Sequence, residues 1–263
     1  MSLAPERDIL PSGRLFSKRR AECAEFRLHC SRVIDTISIS SLRQEPTQGE
    51  HGPPSSLLSS IMNLPASNDL FERKTAIRKQ AHENRKNQPE KDGVSVQIVD
   101  RFMTLPEYEV AKTVMFYVDV RDEVRTRQAL PAALASGKRI VVPYCVDGEL
   151  ELFWLENMDE LELGMYRILE PRADLREVES KRLQPTDLDL IMVPGVAFDR
   201  NGGRTGHGKG YYDKLLQHAK PSTPLVALAF ECQMFEEIPA ESHDIYMDKV
   251  VTENAVYVGR GRS

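Results

Sequence analysis

From Ile191 to Leu216 the chain reads IMVPGVAFDRNGGRTGHGKGYYDKLL. An apolar run opens the stretch, and five glycines follow with Arg204, His207 and Lys209 threaded between them. An amphipathic segment led by Tyr211, Tyr212 and Asp213 closes it. That order predicts a strand, a glycine-rich loop and a helix. In a parallel sheet, ligands bind beyond the carboxyl ends of the strands, where this loop would lie. Glycines allow backbone N–H groups to turn towards an anion, and the helix that follows adds its positive end. Arg204 and Lys209 supply full charges, so the combination suits a polyphosphate.

Outward from this loop the pattern alternates. Residues 67–88 predict a helix, capped by Ser67 or Asn68, with Asp69 and Glu72 in its first turn and basic residues towards its end. Lys74 and Arg78 stand four apart and project from one face. A second helix is expected over 95–103, then a buried strand over 113–120 and a helix over 123–137 stopped by Gly137. Residues 138–145 read as another strand. The Asp147-Gly148 turn leads into 149–156, which alternates and predicts a half-exposed antiparallel strand. Further strands are expected over 188–198 and 223–230, with a helix over 209–219 between them and two short strands closing the chain. Strands interleaved with helices predict an α/β fold: three α/β/α layers around a mainly parallel, Rossmann-like sheet with hairpin strands added at an edge.

The chain has 263 residues and a net charge of -5, against a general nucleic-acid binder, which carries a basic excess. No apolar run approaches the roughly 20 residues of a membrane helix. Cys23, Cys30, Cys145 and Cys232 form no Cys-x-x-Cys pair, which fits reduced thiols in the cytoplasm. The start of the chain lacks a secretory apolar core and is too acidic for an organellar address. Residues 1–66 include a Ser-, Pro- and Gly-rich tract and read as a disordered extension, followed by one α/β domain over 67–263. Initiation at Met62 and a folded partner-binding segment are the alternatives.

The loop nearly matches a Walker A sequence. Gly203, Gly208 and Lys209 fit, but Gly210 replaces the hydroxyl that would bind Mg²⁺. A metal would need other hard oxygens, with Asp213 the nearest candidate and Asp244 a second from another loop. A dinucleotide fingerprint fits less well, because Tyr211 occupies its third glycine position, although Glu231 lies where a ribose-binding acid would stand. The residues alone favour nucleotide binding over a structural loop.

The run PGVAFDRNGGRTGHGKGYYDKLL resembles the signature of the 5-formyltetrahydrofolate cyclo-ligase (5,10-methenyltetrahydrofolate synthetase) family. The resemblance extends from about Lys74 to the last strand and takes in the Lys74/Arg78 pair and the turn VDVRDEVRT with Glu123. It implies ATP-dependent closure of 5-formyltetrahydrofolate to 5,10-methenyltetrahydrofolate, with release of ADP and phosphate. It also implies ATP contacts from Lys74, Arg78 and the loop residues Arg204, Thr205, Gly206, His207, Gly208, Lys209, Gly210, Tyr211 and Tyr212. Lys209 and Arg204 would act on the transferred phosphoryl group, Asp213 and Asp244 would hold Mg²⁺, and Val118, Glu123, Tyr166 and His207 would meet the folate. Relatives often carry Arg or Tyr where this chain has His207. A monomer without nucleic-acid or membrane partners is expected; a non-catalytic binder of nucleotide or folate is the alternative.

Overall fold

The computed structural model describes residues 66–164 and 168–262. Residues 1–65, which make up nearly all of the expected extension, and Tyr166 lie outside the described residues.

Helix α1 spans Ala66–Asn87, with Asp69 near its start and Arg85 and Lys86 in its last turn, complementing the peptide dipoles. Its buried positions, Lys74, Ala81 and Arg85, recur at helical spacing, so one face is turned inward and carries two cations with it. Helix α2, Lys91–Met103, begins a turn earlier than its sequence suggests and runs through Gly93. Ile98, Val99 and Phe102 bury its inner face, and that packing outweighs the modest cost of one glycine. A short helix α3, Pro106–Val110, starts on proline and leads to strand β1, Thr113–Met115.

β1 ends well before residue 120. The Asp119 carboxylate instead accepts the backbone N–H groups of Thr126 and Arg127, at 3.0 and 2.8 Å, and folds the segment into a turn. The following helix is correspondingly short: α4 covers Leu130–Ala135, and Gly137 ends it at φ +78°. Strands β2, Arg139–Val146, and β3, Glu149–Leu155, form a hairpin around Asp147 and Gly148, both with positive φ. β3 is antiparallel to β2 as expected, and its first half is only partly buried, but its second half is buried on both faces. Phe153 and Leu152 enter cores on opposite faces, and a further strand pairs outside it.

Strands β4, Leu161–Leu163, and β5, Leu169–Pro171, make a separate ribbon. There follow β6, Arg182–Leu183; β7, Leu190–Val193; β8, Ala197–Asp199; β9, Arg204–Thr205; and helix α5, Tyr211–Gln217. The chain closes with β10, Leu225–Leu228; β11, Met234–Phe235; β12, Lys249–Val251; and β13, Val256–Val258.

Among the described residues the main sheet has eight strands in the order β13-β12-β10-β7-β1-β2-β3-β6. The five central strands are parallel, and antiparallel strands are added at both edges rather than one. Successive side chains of a strand point to opposite faces. Leu190 and Met192 therefore join Phe102 and Phe116 in one core, whereas Ile191 and Val193 join Leu215 and Leu216 of α5 in the other. This is the expected three-layer arrangement. The expected single strand over 188–198 is divided, because the chain turns at Pro194-Gly195 and pairs β8 with β9 and β11 in a small sheet.

Candidate active site

The glycine-rich loop does not close as one phosphate loop, because β9 interrupts it. Asp199 sets its frame. One carboxylate oxygen accepts N–H groups from Asn201 and Gly203, both at 2.8 Å, and the other accepts that of Ile238 at 2.8 Å. A Cβ at Gly203 would stand 2.4 Å from that carboxylate, so only glycine fits there. The free part of the loop is Gly206 to Gly210, where Gly208 and Gly210 take φ of +82° and +69°. These left-handed conformations turn the backbone sharply in a short span and favour glycine.

Arg204 and Thr205 are buried on β9, and Arg204 is only 8% exposed. Its guanidinium bonds the Asp213 carboxylate one turn into α5 and the Pro194 carbonyl at the end of β7. Arg78 reaches from α1 and donates through Nε to the Gly206 carbonyl at 2.9 Å. Lys74, one turn earlier, lies between Glu241 Oε2 at 2.8 Å and Asp244 Oδ2 at 2.6 Å. Burial opposes the Lys74 charge, yet the hydrogen bonds to Asp244 and Glu241 outweigh it and raise the pKa above the ordinary lysine value. Two cations expected on the phosphate side thus hold the two carboxylates expected on the metal side: Lys74 with Asp244, and Arg204 with Asp213.

These groups line a cavity of about 580 Å³. Lys209, Gly210 and Tyr211 border it from the loop, and Val118 and Glu123 from the segment after β1. Glu123 is buried and accepts the Val120 N–H at 3.1 Å, while its other oxygen lies 3.9 Å from His207 Nε2. The His207 ring lies against that of His82, with centroids 5.3 Å apart. Tyr212 packs against both cores, and burial, then the nearby Glu123 charge, pushes its hydroxyl pKa up. Tyr211 leans towards Cys145 on β2; burial and then Cys145 raise its pKa also.

Lys74, Arg78, Arg204, Lys209, Asp213, Asp244, Val118 and Glu123 therefore face one space, while Tyr166 lies outside the described residues. Asp213 stands apart from the tightest oxygen cluster, in which Glu241, His243 and Asp244 offer ligand atoms within 4.8 Å of one another. Two of these three supply the hard oxygens that Mg²⁺ accepts, so the donor chemistry fits that ion. Glu231 binds Tyr257 and Thr252, each at 2.6 Å, which assigns it to the sheet edge and not to a ribose. Trp154 lies under the Arg139 guanidinium at 4.6 Å and does not line the cavity.

Sequence reasoning missed Glu241, His82 and Arg85. Arg85 lies on the inward face of α1, and its Nη1 donates to the Gly195 carbonyl at 3.2 Å. The helical spacing Lys74, Arg78, His82, Arg85 was a usable signal for two of them. Glu241 had none, since only the tertiary fold brings it to Lys74.

The family model of the 5-formyltetrahydrofolate cyclo-ligase family matches residues 71–253. The probable 5-formyltetrahydrofolate cyclo-ligase of Schizosaccharomyces pombe is 32% identical over 179 residues, which span 63% of this chain and 86% of the relative. The Escherichia coli K12 5-formyltetrahydrofolate cyclo-ligase is 33% identical over 165 residues, spanning 61% and 88%. The solution structure of Aquifex aeolicus 5,10-methenyltetrahydrofolate synthetase superposes with a TM-score of 0.63 at 36% identity, covering 72% of this chain and 95% of that one.

Proposed function

The chain belongs to the 5-formyltetrahydrofolate cyclo-ligase family, and from that premise we propose that it closes 5-formyltetrahydrofolate to 5,10-methenyltetrahydrofolate, converting ATP to ADP and phosphate. The observation that carries this reading is the single cavity bordered by both the basic glycine loop and Glu123 with Val118. Nucleotide and folate can meet there without either leaving the protein.

A formyl oxygen is a poor leaving group. Attack of that oxygen on the γ-phosphorus forms an O–P bond and breaks the bond to ADP. N10 then bonds to the formyl carbon as the C–O bond breaks, so the oxygen departs within phosphate. The protein supplies position and charge, as phosphoryl-transfer sites generally do. Lys74, Arg78 and Arg204 take the polyphosphate, with Lys209 at the transferred group. The resting ion pairs suit this exchange, because cations freed from Asp244 and Asp213 can turn to phosphate oxygens. Mg²⁺ brought with the nucleotide would be held by Asp244 with Glu241, would be reached by Asp213 directly or through water, and would offset phosphate charge.

No helix among the described residues is long and apolar enough to cross a membrane. Cys145 and Cys232 are free thiols, in keeping with the proposal of a reducing cytoplasm; a monomer is proposed as well. The test is direct: the purified protein, 5-formyltetrahydrofolate and MgATP should yield the ultraviolet absorbance of the methenyl product together with stoichiometric ADP. Binding of both ligands without either product would make it a non-catalytic binder instead.

A further inference from the structure

Five carboxylates line the cavity, and four are committed to lysine or arginine. Glu170 pairs with Arg176, Asp213 with Arg204, and Glu241 and Asp244 with Lys74. The fifth, Glu123, has no such partner among the described residues. Its nearest titratable neighbour across the cavity wall is His207, with 3.9 Å between Oε1 and Nε2. The Glu123 side chain is 9% exposed and that of His207 is 43% exposed, so the pair runs from the cavity wall towards solvent.

Ring closure releases a proton. When N10 of the folate bonds to the formyl carbon, its N–H bond must break with the electron pair kept on nitrogen. We propose that Glu123 is the general base that takes the N10 proton, and that His207 passes it from Glu123 to water. This rests on the cyclo-ligase reading and adds the proton's route to it. A carboxylate already bonded to a lysine or arginine is a weak base, and accepting a proton would break its ion pair. Glu123 accepts one without that loss, and its Val120 N–H bond fixes which oxygen remains free. The separation from His207 is longer than a hydrogen bond, as catalytic contacts often are before substrate tightens them.

Two α1 side chains border His207. Arg78 bonds the neighbouring Gly206 carbonyl, and the His82 ring lies against the imidazole. Arg85, Arg121 and Asp122 act on His82, whose pKa is lowered by burial first, then by Arg85 and His207. Burial, then the Glu123 charge, raises the pKa of Tyr212 and Tyr117, so both stay protonated and do not compete as bases.

Three variants test this with the full-length chain. Glu123→Gln keeps shape but cannot accept a proton; kcat at saturating substrates should fall about a hundredfold or more, with ATP affinity within about twofold. His207→Ala should lower kcat about tenfold and recover when imidazole is added to the buffer, as a vacated proton carrier does. His207→Arg supplies a fixed charge but cannot relay a proton, so the acid limb of the pH–rate profile should change. Unaltered kcat in Glu123→Gln, or a loss confined to KM for the folate, would overturn the general base. Absence of imidazole rescue with an unchanged pH profile would remove His207 from the route, and it decides alone should Glu123→Gln fold poorly. If the unaltered protein makes no methenyl product, the cyclo-ligase reading itself falls, an outcome distinct from all of these.

Discussion

Lys74 and Asp244 are 170 residues apart in sequence and 2.6 Å apart in space. The contact ties the first helix of the domain to the loop between β11 and β12 across the mouth of the cavity. Glu241 completes the arrangement, and Asp244 also accepts the Glu241 N–H at 2.7 Å. Lys74→Met should cost on the order of 1 kcal/mol, less than a fully buried pair because Glu241 is half-exposed. A denaturant double-mutant cycle with Asp244→Asn should show most of that as coupling, and ATP affinity should fall with it. Unchanged nucleotide affinity would leave Lys74 as a tether only.

Asp199 accepts three backbone N–H groups and touches no ligand space. Asp199→Ala should destabilise the domain by about 3 kcal/mol or more, since bonds to a charged acceptor contribute about 1.5–3 kcal/mol each. Urea midpoints report this. A change under about 0.5 kcal/mol, the scale of ordinary surface substitutions, would mean that the loop holds its form without the carboxylate.

Asp213→Asn should raise the Mg²⁺ concentration needed for half-maximal turnover, because an amide cannot offset a dication as a carboxylate does. It also removes the charge opposite buried Arg204, so the melting temperature without nucleotide should drop. An unchanged Mg²⁺ titration with lowered stability would assign Asp213 to Arg204 alone.

Much of this architecture was legible in the chain. The glycine loop, the position of α1 and the parallel centre follow from local periodicity and punctuation, which report on neighbours along the sequence. What escaped depends on distant partners. β1 stops early because Asp119 captures two N–H groups, and β9 forms by pairing with β8, with Val196 N–H meeting the Thr205 carbonyl at 2.8 Å. Lys74 and Arg204 read as cations awaiting phosphate. Their resting carboxylate partners could be found only after folding brought those groups together, and for Lys74 they arrive from the far end of the domain.

Lys209→Ala is expected to lower kcat as well as ATP affinity, by about a hundred- to a thousandfold in rate, the usual value of a donor aimed at transition-state charge. Single-turnover kinetics separate the two effects. A loss confined to KM for ATP would make Lys209 an anchor.

His82 predicts acid sensitivity. Its folded pKa lies below the ordinary value of 6.5, so the unfolded chain binds a proton that the folded chain resists. The stability concerned is intact above that pH and is lost as pH falls through the lower folded value. His82→Gln should therefore narrow the gap between urea midpoints measured at about pH 7.5 and about pH 5.5. An equal gap in both proteins would place the acid sensitivity elsewhere.

The sheet's borders bear on how the protein behaves when crowded. One border strand, β6, is two residues long, and the other, β13, is three. Both run antiparallel to their inner neighbours, so the parallel strands are enclosed on either side. A foreign strand adding to either border would gain only a few ladder hydrogen bonds, too little to offset the entropy of ordering it. Exposed Val258 on β13 leaves that border the stickier of the two. Aggregation under stress should therefore begin with peeling of β13 away from β12, exposing the buried Val250 and Val251 beneath.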